Sequence, residues 1–236
     1  MIEKLKKEIE ATGSKDRARL AQSYFKTGPG EYGEGDVFLG LTVPELRTIC
    51  KRYTVLSLQE LSQLLKENIH EFRSAALIIL VFQFQKATKE KQKEIVQFYL
   101  AHTKHVSNWD LVDSSAPYIL GEYLRDKDKS LLSTLAQSKN IWERRMGIVA
   151  TYAFIKQRDL EETFLVAELL LKDSHDLIHK AVGWMLREAG KKDQAVLEKF
   201  LKRHAWRMPR TMLRYAIEKF TPEKRAYYLA LRTEQI

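Results

Sequence analysis

The chain has one cysteine, Cys50, in 236 residues, which excludes an intramolecular disulfide and a cysteine-based zinc cluster and points to a reducing, intracellular setting. Long hydrophobic runs are missing too. The longest, Ala75 to Phe82, is far too short to span a bilayer. Met1 to Glu10 alternates Lys and Glu around Ile2, Leu5 and Ile9, an amphipathic pattern without the apolar core of a signal peptide. A soluble, cytoplasmic protein with no membrane partner is expected. Strand signals are equally scarce, because apolar and polar residues rarely alternate over four positions and Leu, Ala, Lys and Glu dominate at helical spacing. Glycine is sparse outside one stretch: five of the ten lie between Thr27 and Gly40.

The hydrophobic share of 44% and charged share of 30% are those of a globular chain, long enough for one or two cores or one repeat array. The formal net charge is +9, which favours a polyanionic partner. Six basic residues between Lys199 and Arg214, with no acid among them, supply most of that excess.

Apolar periodicity predicts helices over 2–12, 15–26, 44–54, 58–67, 69–86, 89–103, 108–125, 129–137, 140–156, 160–171, 175–189, 194–205, 208–219 and 223–232. Ser14 is a predicted cap, Ser57 with Glu60 reads as a capping box, and Pro44 and Pro222 sit at first-turn positions. Short helices with short polar links suggest stacked helical pairs. A period is present: Glu-Phe-Arg73-Ser-Ala, Glu-Arg-Arg145-Met-Gly, Ile-His-Lys180-Ala-Val and Met-Leu-Arg214-Tyr-Ala each put a basic residue before small and apolar positions. Asp113 takes that place in Trp-Asp-Leu-Val-Asp113-Ser, giving spacings of 40, 32, 35 and 34 residues, close to two short helices and two turns, as in HEAT-like repeats. The expected fold is an all-α array of one domain over 1–236, and a basic row along it would track a phosphate backbone.

Asp113 breaks the row, since a carboxylate among cations is repelled by phosphate and needs a local reason. Trp109 lies four residues before it, and Trp184 four residues after Lys180, each on the helical face of its marker position. A single Trp at such spacing usually belongs to a core, and a single Asp is usually a solvated surface charge. Together they suit one chemistry, because an oxocarbenium-like sugar is stabilised by π faces and a nearby carboxylate.

At Tyr24-Phe-Lys, Phe38-Leu-Gly-Leu-Thr-Val-Pro44-Glu-Leu-Arg47, Asn108-Trp109-Asp-Leu-Val-Asp113-Ser, Asn140-Ile-Trp-Glu-Arg-Arg145 and Lys180-Ala-Val-Gly-Trp184-Met-Leu-Arg187-Glu, the chain resembles the AlkD-like DNA alkylation-repair glycosylases, HEAT-like-repeat enzymes that hydrolyse N3- and N7-alkylated purines from duplex DNA. The resemblance covers nearly the whole chain. It implies a right-handed superhelical solenoid with a concave basic face. It also implies a catalytic carboxylate at Asp113, sugar-contacting tryptophans at Trp109 and Trp184, a tyrosine near the lesion at Tyr24, and phosphate-binding arginines at Arg145, Arg187 and Arg47. Lys180 and Arg214 join these as DNA-binding residues through the basic row. Asn108 stands where some members have another aromatic, and Thr27 to Asp36 is longer and richer in glycine than in others, which leaves the lesion-side loop open.

Other signals are weaker. Gly28-Pro-Gly30-Glu-Tyr-Gly33 fits a dinucleotide fingerprint, yet it follows a helix and carries Glu31 and Glu34 where a pyrophosphate would sit. Thr27 to Gly40 reads equally as a flexible connector or as a loop ordered by DNA. His175 and His179 have metal-ligand spacing without an evident third ligand, so neither metal nor cofactor is expected. The leading expectation is a monomeric, monofunctional glycosylase acting on DNA containing 3-methyladenine or 7-methylguanine. A non-catalytic helical-repeat module that binds nucleic acid is the runner-up, and a protein-binding scaffold is third.

Overall fold

The computed structural model describes residues 1–231, and these form helices joined by turns and loops, with one isolated parallel bridge between Val37 and Ile69 in place of any strand. The chain forms two compact units, Met1–Ser115 and the segment from Ala116 onward. The first holds α1 (Ile2–Thr12), α2 (Lys15–Tyr24), α3 (Val43–Cys50), α4 (Leu58–Leu65), α5 (His70–Lys86), α6 (Lys89–Ala101) and α7 (Trp109–Asp113). The second holds α8 (Glu122–Leu124), α9 (Ser130–Ala136), α10 (Ile141–Val149), α11 (Tyr152–Lys156), α12 (Glu161–Leu169), α13 (Asp176–Lys192), α14 (Gln194–His204), α15 (Arg210–Ala216) and α16 (Pro222–Ala230). The last residue of the helix predicted over 223–232 lies outside the described residues.

Local chemistry sets most of these boundaries. Ser14 caps α2, Ser57 and Glu60 close the expected capping box on α4, and Thr42 with Glu45 forms a second box on α3, each giving an orphan backbone N–H an acceptor. Among the described residues no helix is long and apolar enough to cross a membrane.

Two predicted helices are broken. The one over 108–125 ends at Asp113, because Pro117 has no N–H to give the Asp113 carbonyl and its ring crowds that group. Ser115, fully buried, instead turns its Oγ back onto the Leu111 carbonyl at 2.5 Å, and the chain resumes as a wide turn over Pro117–Gly121. The one over 140–156 breaks after Val149, where buried Thr151 donates its hydroxyl to the Ile148 carbonyl at 2.7 Å and so competes with the helix for that acceptor.

In the first unit α5 is the central element, buried from His70 through Val81 and again at Phe84. Its lack of a polar face explains why its sequence reads as one apolar run. In the second unit α13 runs along α15, and Gly183 sets the spacing. A β-carbon there would come within 2.5 Å of the Tyr215 β-carbon and 2.6 Å of the Met212 carbonyl oxygen, so only glycine lets the two helices meet at this point. Trp184 is the next residue, and its placement depends on that approach. Gly183→Ala should destabilise the protein by about 1–3 kcal/mol through overpacking, measured as a lower urea midpoint at unchanged m-value.

Candidate active site

The short helix α7 carries two of the residues singled out by the sequence, Trp109 at its start and Asp113 at its end, both half-buried. Its entry is held by polar groups from three parts of the first unit. Asn108, fully buried, caps the helix by accepting from the Trp109 N–H at 2.8 Å and donates its Nδ2 to the Asp36 carboxylate at 3.2 Å. Arg73 donates one guanidinium nitrogen to Ser107 Oγ at 2.9 Å and another to Asp36 at 2.5 Å. His70 closes the set, with Nδ1 3.2 Å from Asp36 and Nε2 2.7 Å from Asp110.

The electrostatics follow from burial and pairing. Burial would raise the Asp36 pKa, but the hydrogen bond from His70 and the Arg73 charge, with Asn108, outweigh it and hold the carboxyl below its ordinary value. Burial would lower the His70 pKa, but the charge and hydrogen bond of Asp110 and the hydrogen bond of Asp36 overcome both that and the opposing Arg73, raising it to about 9. At neutral pH His70 is an imidazolium donating from both nitrogens.

An aromatic cluster packs against that cation, with Phe25 and Phe38 both touching the His70 ring. The His70 ring stacks on Phe38 at 4.5 Å, Phe38 on Phe25 at 4.8 Å, and Phe25 on Trp109 at 5.1 Å. Tyr24, 67% exposed, sets its ring edge-on to Trp109 at 5.9 Å. Beneath the other end of α7, Tyr99 is fully buried and shares a 2.8 Å hydrogen bond with Ser115. Burial pushes the Tyr99 phenol up, and the charge of nearby Asp113 adds to that rise.

The structure therefore brings Tyr24, Trp109 and Asp113 together in the first unit. Arg47 stands on α3 with its guanidinium 5.2 Å from the centre of the Phe82 ring. In the second unit, Trp184 lies 6.0 Å from the Tyr152 ring, and Lys156 reaches over Tyr152 at 4.9 Å and Tyr118 at 5.2 Å. Lys180 pairs with Asp176 at 2.7 Å, Arg187 with Glu188 at 3.1 Å and with Glu218, and Arg214 is exposed. Arg145 is buried and donates to the Leu177 carbonyl at 2.6 Å.

Two expectations need correction. The marker positions of the repeat do not form one exposed basic row, because Arg73 is buried against Asp36 and Arg145 is buried as well. In the stretch Thr27 to Gly40, the part from Gly33 onward is not a loose connector. The amides of Leu39, Gly40 and Leu41 donate to the buried Glu71 carboxylate at 2.9, 2.7 and 3.3 Å, the Leu39 carbonyl accepts from Ser14 N–H, and Val37 bridges to Asn68 and His70. Gly33 packs so closely that a β-carbon would lie 2.5 Å from the Phe25 carbonyl oxygen. His175 and His179 are absorbed locally: His175 Nδ1 caps α13 through the Leu177 N–H, and His179 bonds the Asp173 carbonyl. Among the described residues no group of His, Cys, Asp and Glu is placed to hold a metal ion.

Sequence reasoning missed Phe25, Asp36, His70 and Asp110. No local pattern marks them, since Asp36 meets its partners across separations of 34, 37 and 72 residues.

Fold and site define an all-helical repeat protein with a carboxylate and an indole presented on one short helix. The model of the DNA alkylation repair enzyme family matches residues 5–220, and the chain belongs to that family. Among solved structures, a predicted DNA alkylation repair enzyme from Enterococcus faecalis is similar at 16% identity and a TM-score of 0.68, over 89% of this chain and 98% of the other. AlkD2 from Streptococcus mutans is similar at 16% identity and a TM-score of 0.58, over 94% and 97%. These likenesses carry the fold. No curated protein matches the chain in sequence.

Asp36→Ala would leave the Arg73 guanidinium buried without its carboxylate and His70 with Asp110 alone, and should cost about 3–5 kcal/mol of stability, read from urea unfolding. The pH dependence has a definite sign. His70 is raised in the folded state from the ordinary 6.5 to about 9, so the native state holds the extra proton between those values. The stability His70 contributes is complete below pH 6.5 and is lost as pH rises through about 9. The thermal midpoint should fall over that window in the wild type and be flatter in His70→Gln.

Proposed function

We propose that the chain is a monofunctional DNA glycosylase that hydrolyses the N-glycosidic bond of N3- and N7-alkylated purines in duplex DNA. The observation that carries the reading is Asp113, half-buried at the end of α7 with the Trp109 indole one turn before it, in a chain of the DNA alkylation repair enzyme family.

Alkylation at N3 or N7 makes the purine a cationic leaving group, so the base departs with the bonding electron pair and needs little help from an acid. What the protein must supply lies on the sugar side. As the bond lengthens, positive charge grows on the deoxyribose C1′ and ring oxygen, and a fixed carboxylate stabilises it. Asp113 takes that role and orients a water for addition to C1′, the water's proton passing to solvent or to the carboxylate. Trp109 covers the sugar and limits access of bulk water. Trp184, in the second unit, is assigned the same kind of contact by the family resemblance, and Tyr24 stands edge-on to Trp109 at the lesion side.

Binding and chemistry fall to different residues. Arg47, Arg145, Lys180, Arg187 and Arg214 are assigned to the phosphate backbone by the family resemblance and the basic row. The protein would act as a monomer without metal or cofactor. Affinity for duplex DNA should fall with salt at a slope of about −0.9 per phosphate neutralised, and Arg214→Ala should lower that slope in a fluorescence-anisotropy titration.

The deciding variant is Asp113→Asn, which keeps shape and removes charge. A carboxylate beside phosphates weakens ground-state binding and repays this only when the sugar turns positive. Single-turnover release of 7-methylguanine and 3-methyladenine should therefore slow by roughly 100- to 1,000-fold, with DNA binding and circular dichroism unchanged. Release at the wild-type rate would make Asp113 structural and leave a nucleic-acid-binding module without chemistry.

A further inference from the structure

The residues around α7 contain a group that touches no part of the proposed reaction yet is bonded to the element that carries it. We propose that His70 is a positioning residue for base excision: held between Asp36 and Asp110, it fixes the entry of α7 and thereby the placement of Trp109 and Asp113. The inference rests on the glycosylase reading for its catalytic consequence, though not for its structural one.

Four consecutive residues at the start of α7 are tied to one buried cluster. Ser107 accepts from Arg73, Asn108 donates to Asp36, the Trp109 N–H is capped by Asn108, and Asp110 accepts from His70. Asp36 belongs to the segment before α3, Arg73 and His70 to α5, and Asp110 to α7, so His70 is where the three parts meet. The groups facing its ring are these: Asp36 at Nδ1, Asp110 at Nε2, Arg73 Nη2 3.4 Å from Nδ1, and the Phe38 and Phe25 rings with centres at 4.5 and 5.2 Å. Glu71 and Arg17 line the same small cavity, but Glu71 is taken by the amides of 39–41 and Arg17 by the Gly40 carbonyl and Glu45.

An imidazole with a carboxylate at each nitrogen has two acceptors to satisfy and needs both N–H groups. Neutral histidine has one, and its remaining lone pair would then face a carboxylate across about 3 Å, which is repulsive. A neutral amide in its place donates to one side only and carries no charge. Either change frees the Asp110 end or the Asp36 end, and both ends bear on α7. The same ring supports Trp109 through Phe38 and Phe25, so the indole should register the change directly. Displacements well under 1 Å at a reacting centre alter rates by large factors, and a misplacement near 1 Å costs about 100-fold.

The test uses full-length protein labelled with 5-fluorotryptophan, whose four indoles give separate 19F resonances, with Trp109 assigned by Trp109→Phe. Wild type, His70→Gln and Asp110→Ala are compared. Asp110→Ala removes the α7 end of the clamp while sparing the buried Asp36 cluster, so the outcome does not depend on how well His70→Gln folds. In the wild type, the Trp109 resonance should shift with a midpoint near pH 9, and in the variants it should sit at a new position, or broaden, at neutral pH. Single-turnover release of 7-methylguanine at pH 7 should fall by about 10- to 100-fold in both variants, with the DNA dissociation constant within about threefold of wild type, a split a folding defect would not give. The inference is overturned if the Trp109 resonance is insensitive to pH and to both substitutions, or if both variants release base at the wild-type rate. A wild type that releases no base, but whose Trp109 resonance follows His70, would overturn the glycosylase reading and leave the clamp standing.

Discussion

Asp36 takes a negative charge into the interior of the first unit, where an unpaired carboxylate would be severely penalised by desolvation, and the surrounding elements are arranged to satisfy it. Arg73 and His70 come to it from α5 and Asn108 from the cap of α7. The cluster carries charges of both signs, and each partner also makes a second bond, Arg73 to Ser107, His70 to Asp110 and Asn108 to the Trp109 amide. A buried ionic cluster of this kind is weak as a source of net stability, because desolvation takes back most of what the pairing gives. What it provides is direction, since few arrangements of three segments satisfy all of these bonds.

That direction is passed upward by packing. His70 and Phe38 pack against Phe25, and Phe25 stacks on Trp109, so the place of the indole is set from below by this ring cluster and from its backbone by the cap. Asp113 is fixed by the same short helix, with Ser115 and buried Tyr99 at its far end. Such preorganisation is what electrostatic stabilisation of a developing cation requires, because a charge that must move into place during the reaction gives back much of its benefit as reorganisation.

The second unit solves a different problem with simpler means. Its helices meet through small residues, and Gly183 shows why the motif Lys180-Ala-Val-Gly-Trp184 places glycine beside its tryptophan: the neighbouring helix passes where a side chain would otherwise stand. Several of its cations pair with acids of the same unit, as Arg187 does with Glu188 and Glu218. The exposed ones, such as Lys180 with Asp176, contribute little to stability.

The sequence by itself determined the helical class, most helix limits and the pairing of Trp109 with Asp113, because helical period, capping and four-residue spacing act between near neighbours along the chain. It also carried the family, through motifs contiguous in sequence. The tertiary structure alone decided that Arg73 and Arg145 are interior, that the chain from Gly33 to Gly40 is pinned, and that His70 and Asp36 stand beneath the tryptophan. The reason is one of range: a buried charge is defined by partners dozens of residues away, and its effect on position and pKa exists only when folding has removed the water between them.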